Sequence, residues 1–342
     1  MIKINKNINF SYSQRPLLVA EISGNHNGSK KKFLKLVESA CINGADLIKI
    51  QTYEPKDITS KNLRFKISKG IWKNYQLWNL YKKACTPFSW HKDAFKLAKK
   101  YNKIIFSSPF SLRAVDFLEK LKVPLYKIAS FEITDIKLIR YIASKNKPII
   151  LSTGMSNINE IKKTLKEIYK FHKKVIILHC VSNYPTKLKD TNLIEINFLK
   201  KQFKKNLVGL SDHTDNIFSS IASLPLRPVL IEKHYKLNEK DKTTDSHFSI
   251  TPEKLRQLKE VILDVDKSLN SKKKINQKMS KTLRRSIYST KLIKKNEKIT
   301  KNNIDTLRPY LGICASKYFK VIGRITKKNI KPGTPIKENH LV

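Results

Sequence analysis

Two histidines, two lysines and a set of short polar residues stand within or at the ends of apolar runs, and these are the residues best placed to do chemistry. His213 and His234 end or follow the consecutive strand-like runs Leu207 to Ser211 and Val229 to His234, so adjacent parallel strands would aim them into one mouth. Imidazole is a common ligand of divalent Mn, Zn or Fe, and a carboxylate such as Glu21 or Asp245 would complete a partly open site. A pair of hydrogen-bonded structural histidines accounts for the same spacing. Lys49 and Lys127 differ from the other lysines because they lie inside apolar strands, in Leu-Ile-Lys-Ile and Tyr-Lys-Ile-Ala. A buried ammonium is costly unless paired, so the partner is a bound phosphate or carboxylate, or a strand-end carboxylate such as Glu132 or Glu21. Ser108, Ser130, Ser152, Ser182 and Ser211 are hydroxyl donors suited to a phosphate pocket, although serine at a strand end is also ordinary loop chemistry.

The elements that must position them repeat regularly. From Leu17 to Leu269, short β-branched runs alternate with longer amphipathic stretches, the pattern of βα units around a parallel sheet. Eight strands are expected: 17–23, 47–52, 104–108, 125–130, 148–153, 175–181, 207–211 and 229–234. Helices follow each, for example 31–43, closed by Gly44, and 159–171, with Asn157 suited to capping its first turn. Eight such units over about 250 residues predict an α/β fold of the (β/α)8 TIM-barrel type spanning 1–269, with a doubly wound open sheet as the alternative. In a barrel the active site forms at the C-terminal ends of the strands, where nearly every run here ends in polar residues. The insertion Glu54 to Thr86, carrying Trp72, Tyr75, Trp78 and Tyr81, is expected to be a long active-site loop. A polar linker, 270–282, then leads to a small module, 283–342. Its strand-like pieces are 286–290 and 318–325, with turns at Lys295-Asn296 and Pro332-Gly333.

Composition narrows the function. The 342 residues include 70 Lys plus Arg against 27 Asp plus Glu, a formal charge of +43. Only 10 of the basic residues are Arg, and the lysines are scattered over every predicted helix. Nucleic-acid recognition favours clustered, bidentate Arg, so solvated helix faces account better for the charge, and no nucleic-acid partner is expected. No run approaches the roughly 18 apolar residues of a membrane span, and the first ten residues lack a signal-peptide pattern, so a cytoplasmic protein without a membrane partner is expected. Cys41, Cys85, Cys180 and Cys314 are widely separated, which favours reduced thiols over a disulfide framework or structural zinc. P-loop, GxGxxG and GxSxG motifs are absent from the sequence. His179 and Cys180 are strand neighbours that point to opposite faces, so adjacency does not make them a catalytic dyad.

Seven segments carry a resemblance that spans nearly the whole chain: Ala20-Glu-Ile-Ser-Gly-Asn-His-Asn-Gly28, Lys49-Ile-Gln-Thr-Tyr53, Ser107-Ser-Pro-Phe110, Tyr126-Lys-Ile-Ala-Ser-Phe-Glu132, Leu151-Ser-Thr-Gly-Met155, Gly209-Leu-Ser-Asp-His-Thr214 and Ile231-Glu-Lys-His-Tyr235. Together they resemble the sialic acid synthases. The resemblance implies a metal-dependent barrel, using Mn or Mg, that condenses phosphoenolpyruvate with an open-chain N-acetylated amino sugar to give a nine-carbon 2-keto acid and phosphate. It implies His213 and His234 as metal ligands, and Lys127, Ser108, Ser130, Ser152, Ser182 and Ser211 around phosphoenolpyruvate. Tyr184 and Asp245 are implied as substrate contacts, Glu132 as a substrate or water contact, Glu21 as an acid/base group and Lys49 as an electrostatic stabiliser. The terminal segment resembles the antifreeze-like, or SAF, domain, implying a swapped homodimer in which Arg308 reaches the partner's sugar site. Ser130-Phe-Glu-Ile-Thr-Asp135, Gln51-Thr-Tyr53 and Thr86-Pro-Phe-Ser-Trp-His91 look pseudaminic-like rather than neuraminate-like, with neuraminate and legionaminate synthesis as the alternatives.

Overall fold

Runs rich in Ile, Leu and Val form eight parallel strands: β1 (Leu17–Glu21), β2 (Leu47–Thr52), β3 (Ile104–Pro109), β4 (Tyr126–Ile128), β5 (Ile149–Ser152), β6 (Val175–Cys180), β7 (Leu207–Asp212) and β8 (Leu230–His234). Nearly every residue in them is buried, as expected when a parallel sheet is covered on both faces. The structure, a computed structural model, describes residues 1–6, 8–271 and 276–342. These fall into two compact units, Met1–Ser271 and Lys272–Val342.

The first unit is a closed barrel with its strands in chain order, sealed where β8 pairs in parallel with β1. The open doubly wound sheet is therefore ruled out. Register determines which polar residues meet: His234 lies opposite Glu21, Glu21 opposite Lys49, and Gln51 opposite Ser108. The expected strand 125–130 shortens to β4 because Ser130–Glu132 turns into a 3-10 helix. Asn157 caps the helix Ile158–Tyr169, its side chain accepting from the Asn159 and Glu160 amides. The 54–86 insertion is more ordered than a plain loop. It contains the helices Pro55–Ile58 and Leu77–Ala84 and an antiparallel bridge between Lys66 and Gln76.

Residues 272–275 of the expected linker lie outside the described residues. Asn270 ends the long helix Pro252–Asn270, and Lys278–Thr282 forms a short one. In the second unit, β9 (Ser286–Ser289) pairs antiparallel with β10 (Ile304–Leu307) over a small aliphatic core. The stretch 318–325, expected as a strand, instead begins with the helix Tyr318–Val321. Tyr318, Val321 and Ile322 pack on the aliphatic core with helical spacing, and that packing overrides the strand-like composition of the stretch. Among the described residues, no helix is long and apolar enough to cross a membrane.

A charged clamp ties the first βα unit to the last at the foot of the barrel. The Asp46 carboxylate accepts two bonds from Arg15 at 2.8 and 2.9 Å, one from the Leu18 amide at 2.8 Å and one from Lys259 at 2.6 Å. Burial pushes the Asp46 carboxyl up, but Arg15 and Lys259 outweigh it and hold the group below its ordinary value. A carboxyl lowered by folding adds stability that is present above its unfolded pKa and lost as pH falls through its folded one. Asp46→Ala is expected to lower unfolding free energy by about 2–4 kcal/mol at neutral pH, with the deficit shrinking in acid. Urea midpoints across pH 3–7 check this.

Candidate active site

The C-terminal mouth of the barrel opens onto a cavity of about 350 Å³. Lys49, Lys127, Ser130, Glu132, Ser152, Tyr184, Ser211, His213, His234 and Asp245 all line it, so residues far apart in sequence converge on one space. Glu21, Ser108 and Ser182 stand apart from that lining. Arg308 is exposed just after β10 in the second unit.

Beneath the cavity the two strand lysines are held by carboxylates. Glu232 Oε1 accepts from Lys49 Nζ at 3.0 Å, Lys127 Nζ at 2.9 Å and the Ser211 hydroxyl at 3.1 Å, while Oε2 accepts from Lys127 at 2.8 Å. Glu21 Oε2 lies 2.5 Å from Lys49 Nζ. All four side chains are almost fully buried. Burial pushes the Glu232 carboxyl up, but the two ammoniums pull it well below the usual carboxylate range. Lys49, between two carboxylates, is raised despite burial, whereas burial prevails at Lys127 and lowers it. Burial also raises Glu21 against the pull of Lys49. An ammonium has three N–H donors. Among the described residues, two carboxylate oxygens lie within hydrogen-bond distance of each of Lys49 and Lys127, one fewer than the donors each carries.

His213 and His234 stand side by side, ring centroids 5.4 Å apart. His213 Nδ1 donates to the Val181 carbonyl at 2.8 Å, and His234 Nδ1 is 3.2 Å from the Ser23 hydroxyl. Burial lowers His213 to about 4 and pushes His234 well below the ordinary value, aided by His213. Burial thus favours the neutral imidazole that a metal requires, and the carbonyl bond at Nδ1 leaves His213 Nε2, 3.5 Å from the Ser211 hydroxyl, without a proton. Among the described residues, no group of three or more His, Cys, Asp or Glu side chains is assembled around them. Glu21 is committed to Lys49, and Asp245 Oδ2 accepts from the Gly24 amide at 3.2 Å.

The remaining polar residues are placed by turns. The 3-10 turn after β4 carries Ser130, whose Oγ lies 3.0 Å from Ser182 Oγ. Gly154, at φ +49°, permits this approach: a Cβ there would sit 2.4 Å from Ser130 Cβ and 2.6 Å from Ser182 Oγ. Glu132 Oε2 and Ser108 Oγ are buried without a hydrogen-bond partner among the described residues. Burial raises Glu132 to about 7, so its carboxyl exchanges a proton near neutrality.

Aromatic side chains close the histidine side. Tyr184 packs tilted against His213, ring centroids 4.5 Å apart, and Phe248 packs edge-to-face on His234 at 4.7 Å, with Trp72 touching both aromatics. The Trp72 indole donates to the Thr244 carbonyl at 2.9 Å, joining the 54–86 insertion to the loop after β8. Sequence reasoning placed Glu232 at a strand end but gave it no role. The cost argument applied to Lys49 and Lys127 applies equally to a glutamate inside Leu-Ile-Glu-Lys. Phe248 carried no comparable signal.

A closed eight-stranded parallel barrel with charged, hydroxyl and imidazole groups converging at its C-terminal mouth is a TIM-barrel enzyme fold. The chain belongs to the NeuB family, whose model matches residues 36–274, and a SAF domain model matches residues 284–342. It is 38% identical to a pseudaminic acid synthase of Helicobacter pylori over 94% of this chain and 97% of that protein. It is 36% identical to an N,N'-diacetyllegionaminic acid synthase of Campylobacter jejuni over 95% and 100%. An N-acetylneuraminic acid synthetase from Leptospira borgpetersenii, solved with citrate, superposes with a TM-score of 0.72 at 27% identity, covering 81% of this chain and 92% of the other.

Removing one member of the buried ionic cluster leaves charge without compensation. Glu232→Ala is expected to cost about 3–5 kcal/mol of unfolding free energy. Adding Lys127→Met to the same chain should recover part of that loss, since the two positions are coupled. Denaturant midpoints of the single and double variants measure the coupling.

Proposed function

We propose that the chain is a pseudaminic acid synthase, condensing phosphoenolpyruvate with 2,4-diacetamido-2,4,6-trideoxy-L-altrose to give a nine-carbon 2-keto sugar acid and phosphate. The observation carrying this reading is the convergence, in one cavity, of two buried, carboxylate-paired lysines and two buried histidines. The NeuB membership and the similarity to named synthases supply the reaction class. Legionaminate synthesis is the second reading, favoured by the similarity to the Campylobacter jejuni enzyme; it retains the same chemistry with another sugar.

In this reading Lys127, Ser130, Ser152 and Ser211 hold the carboxylate and phosphate of phosphoenolpyruvate, with Ser108 and Ser182 supporting them from behind the lining. His213 and His234 would hold a divalent metal, Mn or Mg, their tethered Nδ1 atoms leaving Nε2 to bind. When bound, the metal supplies Lewis-acid polarisation of the sugar aldehyde. Carbon 3 of phosphoenolpyruvate forms the new bond to the aldehyde carbon, and carbon 2 takes on cationic character. Water then adds to carbon 2 and phosphate leaves. Lys49 stabilises the carboxylate or the developing alkoxide. Glu132, titrating near neutrality, contacts the water or substrate, Tyr184 and Asp245 contact the sugar, and Glu21 beside Lys49 is the acid/base group. The SAF domain places Arg308 over the sugar site of a partner subunit in a swapped homodimer.

Phosphate release from phosphoenolpyruvate with Mn, comparing the altrose sugar, N-acetylmannosamine and the legionaminate precursor, tests the reading. Turnover confined to the altrose sugar, with product mass matching the condensation, is expected. Preference for another sugar would replace the subtype, and no turnover with any would overturn the enzyme assignment. His213→Ala and His234→Ala are each expected to abolish turnover while the far-UV circular dichroism spectrum stays unchanged.

Subunit swapping makes a separate prediction. Arg308→Ala and His213→Ala chains, each inactive alone, are expected to regain about a quarter of wild-type activity when mixed and allowed to exchange, because half the dimers are mixed and each holds one complete site. A chain that caps its own barrel would regain none.

A further inference from the structure

The cavity lining combines two kinds of side chain. Ions and imidazoles form one part, whereas the helix Leu77–Ala84 contributes Leu77, Leu80, Tyr81 and Ala84, spaced i, i+3, i+4, i+7, with Ile58 and Ile67 from the same insertion. An apolar stripe with this spacing normally turns toward a protein core. Here all four of its residues border the cavity, and Leu80 alone in the helix is buried.

We propose that this stripe is the specificity-determining wall of the sugar site, receiving the end of the sugar remote from its aldehyde and selecting a terminal methyl over a hydroxymethyl group. The inference rests on the nonulosonate synthase reading above. The aldehyde must meet the carbon of phosphoenolpyruvate held beside Lys49 and Lys127, so the other end of the sugar extends away from the charged groups, toward the lining the insertion supplies. A methyl group there gains contact with aliphatic side chains. A hydroxyl would give up water against Leu77, Leu80, Ala84, Ile58 and Ile67, which have no side-chain hydrogen-bonding atom, the Tyr81 phenol being the one polar group of the stripe. An aliphatic pocket discriminates against one added hydroxyl by about 10- to 100-fold.

The test is kcat/KM for the 6-deoxy altrose sugar and for its 6-hydroxy counterpart, at saturating phosphoenolpyruvate and Mn, in the wild type and in Leu80→Asn. Leu77→Asn, at a half-buried position, serves if Leu80→Asn fails to fold. The wild-type ratio should favour the 6-deoxy sugar by about 10- to 100-fold, and either variant should reduce it by about fivefold or more. The ratio is the readout because a general loss of packing lowers both rates together. A wild-type ratio near one, or one unchanged in a folded variant, would overturn the wall while leaving the synthase reading intact. Wild-type turnover of neither sugar would overturn that reading, and the wall with it.

Discussion

Four buried ionic side chains set the terms for the barrel mouth. Lys49, Lys127, Glu21 and Glu232 come from four different strands, and each would be costly in the interior alone. Together their formal charges sum to zero. Glu232 joins β8 to both β2 and β4 across the barrel, so the ion pairs that keep the lysines charged also fix their positions. A polar network of this kind favours one arrangement of the mouth over others, because any displaced member leaves its partners unsatisfied. Preorganised positive groups are what a doubly charged small substrate demands of a site before it arrives.

Much of this was legible in the residue pattern. The eight apolar runs announced the strands because a parallel barrel buries both faces of each, and Asn157 announced the start of a helix because its side chain satisfies amides that the first turn leaves free. Lys49 and Lys127 stood out because a charge inside an apolar run needs a reason. Two kinds of information were not available locally. Glu232 as the common partner of both lysines depends on cross-barrel geometry that no spacing records. The helix beginning at Tyr318 depends on the aliphatic core of the second unit, which decided against a strand there.

The histidine pair shows how burial and hydrogen bonding produce one functional state. Low-dielectric surroundings keep both rings uncharged, the Val181 carbonyl fixes the tautomer of His213, and the Ser23 hydroxyl orients His234. Tyr184 and Phe248 pack on the rings and limit the water around them. Surface charge plays a different part. With an excess of 43 positive charges, the molecule draws small anions toward itself from any direction, a long-range effect that salt weakens.

The Trp72 indole bond to the Thr244 carbonyl links an insertion after the second strand to the loop after the eighth, the loop that carries Asp245. Arg113 adds pairs to Glu54 and Asp57 at 3.0 and 3.1 Å, and the Thr86 hydroxyl lies 3.2 Å from His26 Nε2, so the insertion is tied to the barrel at several points. Sequence drift between those ties can reshape what the site admits without disturbing the ion pairs beneath, so long as they keep the excursion in place. The fold thereby separates what must be inherited unchanged from what is free to diversify, and a lineage can acquire a new sugar through one segment while keeping an old reaction in the rest.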